Sequence, residues 1–254
     1  MKRRTVLAGV AGVAAVGGVA YAARNPIARS VITSANNEQV RLTQAPLINS
    51  NVCTLSPEQV EGPFFFSAPV RRDITEDRSG VPLDLTLQVV RADDCQTLYG
   101  ARVEVWHCDA AGRYSGYRED LSRHPFETMV YLGGQEHVEP ENDKTFLRGA
   151  QETDYDGIAS FTTILPGWYE PRITHIHVKV YAGDRAYLTS QLYFPQDLVA
   201  GIYRDHADYA PHGEMPYHLR NDPVLGNFPD GGGLLLDPQW QADRLVASAV
   251  LGLG

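Results

Sequence analysis

Helical patterning, cysteine and net positive charge are all scarce in this 254-residue chain, and each scarcity closes off a class of function. The three cysteines, Cys53, Cys95 and Cys108, include no C-x-x-C pair, which argues against a structural zinc cluster. A formal net charge of -9 disfavours nucleic acid and anionic membrane surfaces as partners. A hydrophobic content of 43% is enough for a packed core and argues against global disorder. No internal repeat is present, and the only low-complexity tracts are the amino-terminal run and Gly231-Gly232-Gly233. Helical signals reduce to a short capped turn suggested by Ser56 with Gln59 and a terminal helix over 240–251.

The amino terminus reads as a targeting segment. Lys2-Arg3-Arg4 precedes an uncharged Ala/Val/Gly-rich run from Thr5 to Ala23, and Ala20-Tyr21-Ala22 has small residues at cleavage spacing. Paired arginines before a glycine-softened core resemble a twin-arginine export signal. The chain therefore divides into a signal over 1–22, a linker or arm over 23–50, and one domain over 51–254. This predicts export to the periplasm or beyond, with no stable membrane insertion after cleavage. The competing reading is an uncleaved anchor, because the run is marginally long enough to span a bilayer. Export permits one disulfide. If 83–90 and 101–107 form a hairpin, Cys95 and Cys108 sit at opposite ends of a strand about 20 Å long, too far to bridge. A pair involving Cys53 remains, with its partner open.

What the chain has in abundance is strand. Leu83, Leu85, Leu87 and Val89 alternate with Asp84, Thr86 and Gln88, predicting a strand over 83–90. Further strands are predicted around 102–107, 158–163, 175–181 and 187–194. Turn signals separate them: Asp109-Ala110-Ala111-Gly112, Asp154-Tyr155-Asp156-Gly157, Pro166-Gly167 and Ala182-Gly183-Asp184. Short strands, regular turns and few helices predict an all-β, antiparallel β-sandwich. The stretches 115–148 and 195–233 carry little strand pattern and are long enough to be functional loops.

The segment Gly167 to Tyr181 carries His175 and His177 two residues apart, with Tyr169 and Arg172 upstream. On a strand the two imidazoles share a face. Taken alone, such a pair is as often a half-exposed strand pair as a metal site. Trp106-His107-Cys108-Asp109-Ala110-Ala111-Gly112-Arg113 leaves a strand and presents Tyr114 after a turn. His107 is expected to be packed or hydrogen-bonded, and Trp168 to be a packing residue. Pro63 and Phe64 suit pocket and core equally. His124, His137, His206, His212 and His218 fall in polar loops and are expected to be exposed.

In order, these motifs join Leu55-Ser56-Pro57-Glu58-Gln59, Leu147-Arg148-Gly149, Thr153-Asp154, Phe161-Thr162-Thr163-Ile164 and Thr189-Ser190-Gln191. The combination resembles the intradiol ring-cleavage dioxygenases over roughly residues 53–230, within an exported branch. The spacing of six from Tyr169 to His175 is shorter than in the better-known cytosolic enzymes, and the helical dimerisation domain of the catechol branch is missing. The resemblance implies a prealbumin-like sandwich and a non-haem Fe(III) site. It implies Tyr114, Tyr169, His175 and His177 as the ligands, with Tyr169 displaced by substrate. It also implies Arg172 and Gln191 beside the reacting ring, a catechol-type diol and O2 as substrates, and a cis,cis-muconate-type product. Phenolates are hard donors that favour ferric iron, and imidazole suits iron equally well. No carboxylate stands in the cluster at the spacing a ferrous two-histidine, one-carboxylate site needs, though Glu170 is adjacent. A non-catalytic exported β-sandwich that binds metal or ligand is the competing reading, and a zinc hydrolase lacks a third ligand and a base. Which diol is used and the oligomeric state stay open.

Overall fold

The computed structural model describes residues 43–44, 46, 48, 53–123, 137–225 and 233–254. The signal over 1–22, most of the arm over 23–50, His124 and the first two glycines of the Gly231 run lie outside the described residues. In chain order the strands are β1 (Thr43–Gln44), β2 (Pro82–Arg91), β3 (Arg102–Trp106), β4 (Arg148–Glu152), β5 (Ile158–Ile164), β6 (His175–Ala182), β7 (Arg185–Tyr193), β8 (Leu234–Leu235), β9 (Gln239–Gln241) and β10 (Arg244–Leu253). The helices are α1 (Glu119–Arg123) and α2 (Gln196–Asp205).

The strands form two sheets, one ordered β1-β8-β7-β6-β3-β4 and the other β5-β2-β10-β9. Alternation along β2 buries Leu83, Leu85, Leu87 and Val89, and β10 contributes Leu245, Ala247, Ala249 and Leu251 to the same layer. From the facing sheet come Val103 and Val105 of β3 and Ile176, Val178 and Val180 of β6. Each fully buried Leu or Ile in this layer stabilises by roughly 1.5–3 kcal/mol, so the alternating rows hold the sheets together. The architecture is the all-β sandwich that the strand pattern predicts.

Several local expectations change. The terminal helix over 240–251 is instead strands β9 and β10, and β10 pairs in parallel with β2 from Leu245↔Leu83 to Leu253↔Arg91. Small Ala and Ser residues obscured the alternation, but burial along β10 follows period two through its first half. Pairing is otherwise antiparallel except around β8, which joins β1 and β7 in parallel. β2 and β3 do not form a hairpin; the chain crosses from one sheet to the other between them. Ser56 caps no helix. Its backbone N–H donates to the Gly252 carbonyl and its Oγ accepts from the Gly252 N–H, tying the segment before β2 to β10. The 195–233 stretch contains α2, whose Val199, Ile202 and Tyr203 face the core. Cys53 bridges Cys95, with Cα atoms 5.4 Å apart, and Cys108 is a free buried thiol.

Candidate metal centre

Because Ile176, Val178 and Val180 of β6 enter the core, His175 and His177 must point to the opposite, outer face of the six-stranded sheet. Both are buried there. Register extends that face sideways. His177 pairs with Gln191 of β7 and with Trp106 of β3, Trp106 pairs in turn with Arg148 of β4, and His175 pairs with Tyr193. Directly opposed residues share a face, so one row across four strands reads Arg148, Trp106, His177, Gln191. The Trp106 ring stacks on His177 at 4.9 Å and 8°, which fixes the imidazole plane. Gly62, at φ +82°, lies so close above His177 that a Cβ would come within 3.3 Å of Cε1.

Two turns deliver the phenols. Asp109 organises the first: its Oδ1 accepts from the N–H groups of Ala111 and Arg113, and its carbonyl accepts from Gly112. Gly112 has φ +78° and a Cβ there would sit 2.3 Å from the Trp168 carbonyl oxygen, so only glycine lets this turn dock on the Gly167-Trp168 segment. That docking brings Tyr114 to Tyr169. In the second turn the Arg172 N–H donates to the Tyr169 carbonyl at 2.7 Å, around a cis Glu170–Pro171 bond.

The four side chains converge. Tyr169 Oη lies 3.0 Å from His175 Nε2 and 3.4 Å from Tyr114 Oη, and His175 Nε2 lies 3.1 Å from His177 Nε2. His175 Nδ1 is 2.6 Å from the Ile173 carbonyl, which can only accept, so Nδ1 carries the proton and Nε2 presents its lone pair to the cluster. Burial, reinforced by the Arg172 charge, holds both imidazoles well below their ordinary pKa and therefore neutral. Burial, with Tyr169 beside it, pushes the Tyr114 phenol far up, and burial raises Tyr169 to about 12 against the pull of Arg172. Without a cation the cluster is four neutral groups with two imidazole nitrogens in contact; a trivalent cation would reverse the phenol titration. Two phenol oxygens and two imidazole nitrogens aimed at one point are a donor set that fits ferric iron. Among the described residues no group of three or more His, Cys, Asp or Glu side chains is gathered, so a cation held at this cluster would need the phenols as donors. Glu170 is exposed.

A family model described as Dioxygenase matches residues 56–204, more than half of the chain. The chain belongs to the intradiol ring-cleavage dioxygenase family. Against the chlorocatechol 1,2-dioxygenase of Pseudomonas sp. (strain P51) it is 29% identical over 139 residues, 53% of this chain and 54% of that one. It thus spans about half the length of the curated relative it matches. A solved intradiol ring-cleavage dioxygenase from Tetranychus urticae superposes with a TM-score of 0.68 at 29% identity, covering 80% of this chain and 95% of that one. The dioxygenase domain of a carbohydrate-binding fusion protein from Streptomyces sp. SirexAA-E gives 0.50 at 26% identity, covering 79% and 99%.

In this member of the family Arg172 is no surface cation. It is buried, its Nε donates to both Asp222 oxygens at 3.0 and 2.9 Å, and its Nη2 donates to Gln191 Oε1 and Tyr193 Oη. Burial works to lower its pKa, but the Asp222 carboxylate outweighs that and raises it. Asp222 also accepts from the N–H groups of Ile173, Val224 and Leu225, which anchors the loop it sits on. Gln191 Nε2 donates to the Val60 carbonyl at 2.9 Å. Asp222 and Tyr193 were missed in the sequence. Tyr193 could have been found, because it stands two residues after Gln191 on a strand; Asp222, 50 residues from Arg172, left no local signal.

Phe64 lies against Tyr114 and Tyr117, at 5.1 and 4.6 Å between rings, buried in the aromatic cluster that includes both tyrosines of the site. His107 is packed as expected. Its Nδ1 donates to the Cys108 carbonyl, its Nε2 accepts from Thr163 Oγ1, and burial takes it down to about 4. Trp168 packs beside the site and donates to the Gly213 carbonyl. Of the loop histidines His218 is exposed, whereas His137 is half-buried on Glu61, His206 is half-buried, and His212 packs against Trp168 at 4.4 Å.

Proposed function

We propose that this chain is a non-haem Fe(III) dioxygenase that inserts O2 into a catechol-type diol and opens the ring between the hydroxyls to a cis,cis-muconate-type product. The observation that carries this reading is the convergence of Tyr114 Oη, Tyr169 Oη, His175 Nε2 and His177 Nε2 on the outer face of the sheet. Iron held by those four residues would supply Lewis acidity and a template on which diol and O2 meet. The protein's own residues do the rest. Tyr169 would be the ligand that gives way to substrate; off the metal its buried phenol, raised to about 12, would hold at Oη a proton taken from the incoming diol. The neutral imidazoles of His175 and His177 stay as fixed donors, one oriented by the Ile173 carbonyl and the other by the Trp106 ring. Arg172 holds Gln191 and Tyr193 in one hydrogen-bonded unit beside the histidines, and its Nη1 takes part in none of these bonds. That donor is the one positioned by default for negative charge developing on the substrate. The aromatic wall of Phe64, Trp106 and Tyr117 keeps the cluster dry.

Export is part of the reading: Lys2-Arg3-Arg4 and the Cys53–Cys95 bridge both suit an oxidising compartment. Replacing Arg3 and Arg4 by lysine should leave the precursor in the cytoplasm, and unchanged fractionation would count against the signal.

The test of function is direct. The iron-loaded protein should be red to burgundy from tyrosinate-to-iron charge transfer, the band should move when a catechol is added, and O2 should be consumed as the ring opens. A colourless, zinc-loaded protein would refute the metal assignment. A coloured protein that consumes no O2 with a panel of catechols would leave a non-catalytic metal-binding sandwich.

A further inference from the structure

The row across the outer face ends at Arg148, whose side chain is completely buried with no carboxylate within 4 Å among the described residues. The nearest acidic group on that face, Glu104, is already engaged by Arg102 Nε at 2.7 Å and by the Ala68 N–H at 3.2 Å. Arg148 Nε donates to Ser115 Oγ at 2.8 Å and Nη2 to the Ser115 carbonyl at 3.2 Å; Nη1 is buried with no partner. The guanidinium carbon lies 3.9 Å over the Phe66 ring and 5.9 Å from the centres of both Tyr114 and Tyr117. A buried guanidinium without a counter-ion is costly to keep. Its two hydrogen bonds both go to the residue that follows Tyr114, and its charge faces that tyrosine's ring.

We propose that Arg148 is a positioning residue of the metal centre, clamping Tyr114 through Ser115 and setting a permanent positive charge behind its phenol. The inference rests on the ferric reading above. It separates the two tyrosines: Tyr114, backed by Arg148 and held through its neighbour, is the ligand that stays, while Tyr169, on the Glu170–Pro171 turn, is the one that leaves. A cation behind a phenolate lowers the energy of its electrons, so the charge reports on the charge-transfer colour as well as on binding.

The experiment compares wild type, Arg148→Met, Arg148→Lys and Ser115→Ala after loading with ferric iron. Three quantities are read: the position of the visible band, iron retention against a chelator, and the melting temperature of the metal-free protein. Arg148→Met should shift the band to longer wavelength, because the phenolate electrons rise once the cation is gone, and weaken iron retention by about 10- to 100-fold. Arg148→Lys keeps the charge but not the fork, and should restore the band more fully than it restores iron retention. Ser115→Ala keeps the charge and the carbonyl contact, and should weaken retention with the band unmoved. If Arg148→Met lowers only the melting temperature, with band and retention as in wild type, the role is refuted. If Arg148→Met does not fold, Arg148→Lys and Ser115→Ala decide: wild-type retention in both refutes the clamp. A colourless wild type would refute the ferric reading itself, whereas a coloured wild type matched by all variants would refute only the role of Arg148.

Discussion

Two buried arginines stand at either end of the outer face, and they are built in opposite ways. Arg172 is compensated: Asp222 takes its Nε with both oxygens, and Gln191 and Tyr193 take its Nη2. Arg148 has no counter-ion among the described residues and holds only Ser115. The difference teaches that Arg172, which the family resemblance sets beside the reacting ring, is nearly neutral as a pair with Asp222. It organises hydrogen bonds through Nε and Nη2, whereas Arg148, a strand residue with no carboxylate within 4 Å among the described residues, keeps its charge uncompensated.

The comparison can be broken at its strongest point first. Asp222→Ala leaves Arg172 buried without its anion and should cost about 3–5 kcal/mol in urea unfolding. A loss under about 1 kcal/mol would mean that the pair is not what holds Arg172. Acid comes next, because both arginines sit near buried imidazoles. His107, at about 4 in the fold against 6.5 unfolded, is neutral when folded, so the unfolded chain binds protons first as pH falls. Its contribution, at most about 3 kcal/mol, is present above pH 6.5 and lost as the pH drops towards 4. His175 and His177 act in the same direction. Unfolding of the metal-free protein should therefore become easier from pH 7 to 4.5, and a flat profile would contradict the burial argument. Arg148→Met should cost about 1–3 kcal/mol, for Ser115 acceptors left without donors, which is less than Asp222→Ala. The reverse order would overturn the contrast between the two arginines. Tyr193→Phe removes one hydroxyl from the Arg172 unit and should cost only about 1 kcal/mol, measured by the same unfolding. Its larger effect should fall on turnover, through Gln191, and unchanged turnover would place Tyr193 outside the working site.

Most of the candidate site was readable because its parts obey local rules. His175 and His177 share a face by strand periodicity, Gly112 marks the turn that presents Tyr114, and Gln191 lies on a predicted strand. The strands over 83–90 and 175–181 were equally plain, since one face of each is a row of branched apolar residues, and 158–163 alternates around Ala159 and Phe161. The errors came where periodicity is weak or partners are distant. The segment 240–251 suggested a helix because Ala247, Ser248 and Ala249 blur a period of two. Its parallel neighbour β2 lies some 160 residues away, as the Asp84–Arg244 contact records. The hairpin expected between the second and third strands fails because both are hydrophobic on one side only, and that pattern cannot say which sheet a strand joins.

From the sequence alone came the all-β class, the family, and four donor residues of types that suit ferric iron, because side-chain chemistry and alternation are properties of short segments. The meeting of Tyr114 with Tyr169, the pairing of Cys53 with Cys95, the neutralisation of Arg172 by Asp222 and the isolation of Arg148 came only with the folded chain. Charge compensation depends on distances of a few ångströms between residues tens of positions apart, and those distances are set by sheet register and loop docking.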